Sequence, residues 1–229
     1  MINKQNHHGI ARAAILAALL ALSFSTHARD ADRSFPDTID PFKHYIFYMH
    51  GNYVEKNGPH KKYKYYEVLD ALDAKGLVVI GEARGKTNMA KYAKVVTGQV
   101  KRLLRAGVPA DNITVAGHSR GGFISMQVAS NLQKVKIRFG ALAACGLKGT
   151  TFFKPYKDFL KKRAAEMKGN FLVMWEQSDD VAGNCDKAMN KNGGVKYTNV
   201  ELMVGGGHEL FYEPNAAWID PLATFAMGG

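Results

Sequence analysis

With 229 residues, 46% of them apolar, and no internal repeat or low-complexity tract, the chain suits one compact domain better than two. Its formal charge of +11 attracts anionic partners such as nucleic acid, lipid headgroups or acidic polysaccharide. Net charge governs association and solubility rather than chemistry, so it assigns no activity, and the basic runs at 61–64 and 161–163 are read as solvated faces with no specific nucleic-acid role.

The N-terminal stretch sets Lys4 and Arg12 ahead of an apolar run at 13–22, followed by small and polar residues ending in Thr26-His27-Ala28. That is the order of a secretory signal peptide, with cleavage expected near Ala28 and residues 29–229 left as one domain. The run is far shorter than the roughly 20 residues that span a bilayer, which disfavours a transmembrane anchor. No acidic residue precedes Asp30, which disfavours an amphipathic helix of a cytosolic protein. Loss of Lys4 and Arg12 leaves 29 basic against 20 acidic side chains, a formal charge of +9. The expected location is the periplasm or the medium. Cys145 and Cys185 are the only cysteines, and export makes a single disulfide between them the expectation.

After a polar, proline-containing lead at 30–41, short apolar runs alternate with segments of helical spacing. Strands are predicted at 45–49, 77–80, 113–116, 137–144, 171–175 and 200–204, and helices at 65–74, 89–106, 122–132, 157–167, 187–190 and 216–226. This rhythm predicts an α/β fold: a doubly wound, mostly parallel six-stranded sheet with helices on both faces. The longest irregular connection, 146–156, carries Phe152, Phe153 and Tyr156 and is expected to lie over a site.

The most informative segment is Ile113-Thr114-Val115-Ala116-Gly117-His118-Ser119-Arg120-Gly121-Gly122, a β-branched strand running through Gly-x-Ser-x-Gly into a helix. A serine held on a sharp strand-to-helix turn needs a strained backbone, and side chains two residues away on either side would collide. Ser119 is therefore the candidate nucleophile, and the backbone N–H of Arg120, at a helix N-terminus, is a candidate oxyanion donor. The pentapeptide arises by chance in about one chain of this length in ten, so its place between a buried strand and a helix carries the weight.

A serine hydroxyl needs a base, and the base needs an orienting acid. His208, in Gly205-Gly206-Gly207-His208 after the last strand, reaches the same sheet edge as the turn, whereas His118 is expected to point away from the hydroxyl. No second histidine follows His208 at helical spacing, so a His-Glu-x-x-His metal site is not indicated and no metal or cofactor is expected. For the acid, the strand at 171–175 ends in Glu176-Gln177-Ser178-Asp179-Asp180; Asp179 is preferred to Asp180, with Glu176 third. His50-Gly51-Asn52 follows the first strand, and the Asn52 backbone N–H is the second oxyanion candidate. Glu82 and Arg84 reach the same edge and are read as a surface ion pair.

The ordered set His50-Gly51, Gly117-x-Ser119-x-Gly121, Asp179 and His208 resembles the α/β-hydrolase superfamily over nearly all of residues 29–229. That resemblance implies a serine hydrolase acting on an ester or related acyl bond of a small molecule through an acyl-enzyme. The chain departs from the family pattern in starting at the family's third strand, without the N-terminal hairpin, and in having no large cap. It implies a sheet in which the second strand lies outside the first and the third to sixth follow on the other side. A different reading is a catalytically weak hydrolase-like protein whose basic surface binds anionic polymer at the cell envelope.

Overall fold

The structure is a computed structural model and describes residues 31–191, 193 and 195–229; the predicted signal peptide lies outside the described residues. In chain order its strands are β1 (Tyr45–Met49), β2 (Val78–Ile80), β3 (Ile113–His118), β4 (Arg138–Leu142), β5 (Cys145–Gly146), β6 (Gly169–Glu176), β7 (Ala182–Gly183) and β8 (Val195–Leu202). Its helices are α1 (Asn52–Asn57), α2 (Tyr65–Asp73), α3 (Met89–Arg105), α4 (Arg120–Leu132), α5 (Phe153–Lys162), α6 (Asp186–Met189) and α7 (Ala216–Met227).

All five residues of β1 are buried, as expected of a strand covered on both faces. Tyr45, Phe47 and Met49 enter one apolar core and Ile46 and Tyr48 the other, because successive side chains point to opposite faces. Helices α3, α4 and α5 close the first core and α2 and α7 the second. On α3, Ala93, Val96, Val100 and Leu103 are buried at helical spacing, and its N-terminus is capped by Asn88, whose side chain accepts from the Lys91 N–H. Helix α4 is buried along most of its length, so few of its positions tolerate charge.

The main sheet has six strands in the order β2-β1-β3-β4-β6-β8, and every pairing within it is parallel. The doubly wound α/β class and the strand order implied by the family resemblance both hold. The chain runs outward from β1 to β2 and returns to the other side of β1 as β3, so strand order reverses between β1 and β3. A crevice opens at the carboxyl ends of strands at such a point. Asn52 follows β1 there and Ser119 follows β3.

Several expected boundaries differ. The last strand begins at Val195 rather than at residue 200 and stops at Leu202; as an edge strand it alternates between exposed and half-buried residues and lacks an apolar run to mark its start. The helix expected at 157–167 begins at Phe153, with Pro155 in its first turn where no N–H is needed, and a separate 3-10 turn follows it. That shortens the loop expected at 146–156. Residues 143–146 leave the main sheet, and Cys145–Gly146 pairs antiparallel with Ala182–Gly183 in a two-stranded ribbon too short to leave a pattern in the sequence. Cys145 and Cys185 form a disulfide with Cα atoms 5.4 Å apart. Among the described residues no helix is long and apolar enough to cross a membrane.

Candidate active site

Strand β3 delivers Ser119 at φ 55 and ψ −117, a left-handed conformation that an L-residue with a Cβ adopts at a cost. The turn is held from both sides, since the Ser119 N–H donates to the Leu142 carbonyl at 2.8 Å and the Ser119 carbonyl accepts from the Phe123 N–H at 2.9 Å. The glycines of the motif have a steric cause. A Cβ at Gly121 would sit 1.9 Å from the Met49 carbonyl oxygen, and one at Gly117 would sit 2.4 Å from the same atom. Backbone from β1 therefore passes against the turn, and only hydrogen fits there.

Beyond β8 the chain crosses Gly205, Gly206 and Gly207, all at positive φ; Gly207 opens a 3-10 turn, and His208 is its second residue. His208 Nε2 lies 2.9 Å from Ser119 Oγ, and His208 Nδ1 lies 2.8 Å from Asp179 Oδ2. The Asp179 carboxylate is fully buried, and its other oxygen accepts the N–H groups of Val181 at 2.8 Å and Ala182 at 2.9 Å. Both carboxylate oxygens are thus engaged, which fixes the side chain's orientation. Asp180, the neighbouring candidate, is exposed.

Glu176, the third candidate, is buried and serves the loops instead. It accepts from the Ser178 N–H at 2.7 Å, from the Ser178 hydroxyl, and from the Gly205 N–H at 3.0 Å. These contacts join the loop that carries Asp179 to the glycines that carry His208. The Ser178 hydroxyl, with the backbone donors behind it, outweighs burial and holds the Glu176 carboxyl below the usual carboxylate range.

The backbone of Asn52 opens α1 and that of Arg120 opens α4, and both residues line the cleft with Ser119. Gly51 caps α1 from an extended conformation, and a Cβ there would lie 3.0 Å from His118 Nδ1 and 3.2 Å from the Ser119 Cβ. The His50-Gly51 turn thus abuts the strand-to-helix turn that carries Ser119. The buried His50 Nδ1 lies 2.8 Å from the Gly51 carbonyl, and burial, with Arg84 nearby, pushes the imidazole well below its ordinary range.

Arg84 is not a surface residue paired with Glu82. It is only 6% exposed, and its guanidinium donates to the His50 carbonyl and, at 3.0 Å, to Glu55 Oε1. The same Glu55 oxygen lies 3.4 Å from Arg120 Nε, while Arg120 also donates to the Thr87 carbonyl at 2.9 Å. Two arginines therefore share one buried carboxylate beneath the turn that presents Asn52. Sequence reasoning does not single out Glu55, because a glutamate beside Lys56 on a short helix has the composition of a solvated face.

His118 does not simply turn away. Its ring is buried, 4.6 Å from the ring of His208 and stacked at 5.2 Å on Phe211. The cleft itself measures about 360 Å³ and is walled by Tyr53, Phe152 and Tyr212, with Lys56 and Arg120 supplying its charged side chains alongside His208. Burial pushes the Tyr212 hydroxyl up to about 12, so it is neutral at physiological pH. Among the described residues, no group of three or more His, Cys, Asp or Glu side chains is arranged to hold a metal ion.

No protein-family model and no curated protein sequence matches the chain. Solved structures are similar to it in fold. SOBER1 of Arabidopsis thaliana superposes with a TM-score of 0.54 at 9% identity, over 81% of this chain and 98% of that one. Acetyl xylan esterase 1 from Thermoanaerobacterium sp. gives a TM-score of 0.53 at 15% identity, over 84% and 76% of the two chains. An S-formylglutathione hydrolase from Agrobacterium tumefaciens gives 0.54 at 14% identity, over 81% and 84%. Strand order, the serine at the end of β3 and these likenesses lead to one conclusion on architecture: the chain has the α/β-hydrolase fold.

Proposed function

We propose that the protein is an exported serine hydrolase that cleaves an ester or related acyl bond of a small molecule, with Ser119 as nucleophile, His208 as base and Asp179 as the orienting acid. The observation that carries this reading is the continuous chain of contacts from Asp179 through His208 to Ser119, at 2.8 and 2.9 Å. The names of the similar structures, an acetyl xylan esterase and an S-formylglutathione hydrolase, support the reaction class.

In this mechanism Ser119 Oγ attacks the carbonyl carbon as its proton passes to His208 Nε2. His208 Nδ1–H donates to Asp179, which stabilises the imidazolium that forms. The carbonyl oxygen, now negative, is met by the N–H groups of Asn52 and Arg120 at the starts of α1 and α4. Collapse of the tetrahedral intermediate breaks the bond to the leaving oxygen, which takes the proton from Nε2, and an acyl-Ser119 remains. Water, deprotonated by the same imidazole, then releases the acid and restores Ser119.

His118 has a part in this cycle through charge. Burial, then the proximity of His208, hold its imidazole well below the ordinary range, so it is neutral while His208 carries the proton. Two imidazolium rings at 4.6 Å would oppose the step.

Export follows from the order of residues 1–28 and is supported by the Cys145–Cys185 disulfide. N-terminal sequencing of the mature protein should begin near Arg29. The catalytic assignment is tested by a fluorophosphonate probe: wild-type protein should be labelled at Ser119, and Ser119→Ala and His208→Ala should lose at least about 10³-fold in hydrolysis of short p-nitrophenyl esters while remaining folded. Full activity in folded Ser119→Ala would overturn the reading, and salt-sensitive binding of anionic polymer without labelling would favour a binding role.

A further inference from the structure

We infer that the ester split here carries its own negative charge, a carboxylate or phosphate seated against Lys56; this rests on the serine-hydrolase reading above.

Among the described residues, the cleft that holds Ser119 is lined by Lys56 and Arg120 and by no Asp or Glu. The acids close behind its walls are already engaged. Asp179 is bound to His208 and two backbone N–H groups, and Glu55 is shared between two arginines. The Arg84–Glu55–Arg120 group therefore keeps one positive charge in excess beside the nucleophile turn. Low-dielectric walls focus such a field into the opening.

Arg120 is tied down by Thr87, Asn52 and Glu55, so it sets the potential. Lys56 differs. It stands exposed in the last turn of α1 at the cleft wall and makes no ion pair among the described residues, whereas Lys62 is paired with Glu209 and Lys75 with Asp220. The aromatic walls accommodate the apolar part of a substrate, and the cationic groups come from the last turn of α1, as Lys56, and the first residue of α4, as Arg120. A small ester with an anion a few bonds from its carbonyl matches that layout, whereas a cationic ester would meet a like charge with no acid to offset it.

The test compares matched substrates on the mature protein. Para-acetoxybenzoate and para-acetoxyphenyl phosphate are set against the neutral methyl ester of the first, and monoethyl against diethyl adipate moves the charge to the acyl side. The anionic-to-neutral ratio of kcat/KM should exceed about fivefold at low salt, shrink in about 0.5 M NaCl, fall to near one in Lys56→Gln and drop below one in Lys56→Glu. Lys196→Gln, which removes the same charge near the amino end of β8, should keep the wild-type ratio. The larger ratio among these pairs identifies carboxylate or phosphate, and acyl or alcohol side. A wild-type ratio near one with the neutral esters still hydrolysed would overturn this inference and leave the hydrolase reading standing. An equal fall in Lys196→Gln would assign the preference to overall charge and overturn it as well. Absence of both ester hydrolysis and Ser119 labelling would remove the hydrolase reading itself.

Discussion

The imidazoles of His118 and His208 lie 4.6 Å apart, one buried in the core beside Ser119 and the other at the cleft, within reach of its hydroxyl. This arrangement makes stability depend on pH. Burial first, then the proximity of His208 for His118 and of Arg84 for His50, push both imidazoles well below the ordinary range. In the unfolded chain both protonate near about pH 6.5, so below that pH the unfolded state holds more protons and stability rises with pH. Their contribution is complete above about pH 6.5 and is lost as pH falls toward the depressed folded values, at up to about 1.4 kcal/mol per pH unit for each ring. Urea unfolding at about pH 7.5 and 5.5 should show this loss. His118→Phe, and separately His50→Gln, should each remove about half of it, and an unchanged difference in both variants would contradict the assignment.

Glycine positions give a sharper contrast. A Cβ at Gly121 meets the Met49 carbonyl at 1.9 Å, and neither partner is a flexible side chain that can swing aside. Gly121→Ala should destabilise the protein by at least about 3 kcal/mol or prevent soluble expression. Gly98 is the opposite case: it is exposed within α3, and a methyl added there would find no atom within 4 Å. Gly98→Ala should stabilise by up to about 1 kcal/mol through helix propensity. Thermal melts of the two variants decide both.

What is legible in the sequence follows from burial. Strands β1, β3, β4 and β6 are largely apolar runs bounded by turns, so the sheet can be read from the sequence, whereas its strand order comes from the resemblance to the α/β-hydrolase superfamily. The Gly-x-Ser-x-Gly turn is legible because backbone crowding leaves only glycine at two places. The start of β8 is not, because Lys196, Thr198 and Asn199 face solvent at the sheet edge and give no hydrophobic signal. Helix α1 escapes notice since its six residues bury little more than Val54 and the Glu55 side chain. Glu55 and Arg84 illustrate the limit: their partnership spans 29 positions, and local composition makes each look like surface.

That buried group has an uneven count of charges, which ranks its variants. Removing Arg84 leaves Glu55 paired with Arg120, whereas removing the Glu55 charge leaves two arginines with no compensating anion. Glu55→Gln should therefore cost about 3 to 5 kcal/mol, and Arg84→Met less. Arg84→Met also frees the His50 carbonyl and so loosens the turn before Asn52, which should lower kcat more than it raises KM if the Asn52 N–H meets the oxyanion. Denaturant midpoints with steady-state kinetics on the folded variants test both statements. Arg84→Met proving the more destabilising would contradict the charge count.

The Cys145–Cys185 bridge links the ribbon strand β5 to the chain just beyond β7, and β7 begins where the Val181 and Ala182 N–H groups clamp Asp179. The bridge and the Asp179 carboxylate are thus coupled through only a few residues. With a sequence separation of 40, the chain-entropy model gives the bridge about 4 kcal/mol of stabilisation. Thiol titration of denatured, unreduced mature protein should find no free thiol, and two per chain would reject the bridge. Reduction, or the Cys145→Ala/Cys185→Ala double variant, should lower the melting temperature markedly. If the β5–β7 ribbon then frays, the orientation of Asp179 is lost before the main sheet opens, because a two-stranded ribbon outside that sheet carries its clamp. Activity should accordingly fall at temperatures where far-UV circular dichroism still reports a folded sheet. Coincident loss of activity and ellipticity in the reduced protein would show that the bridge stabilises the fold as a whole and has no separate hold on the acid.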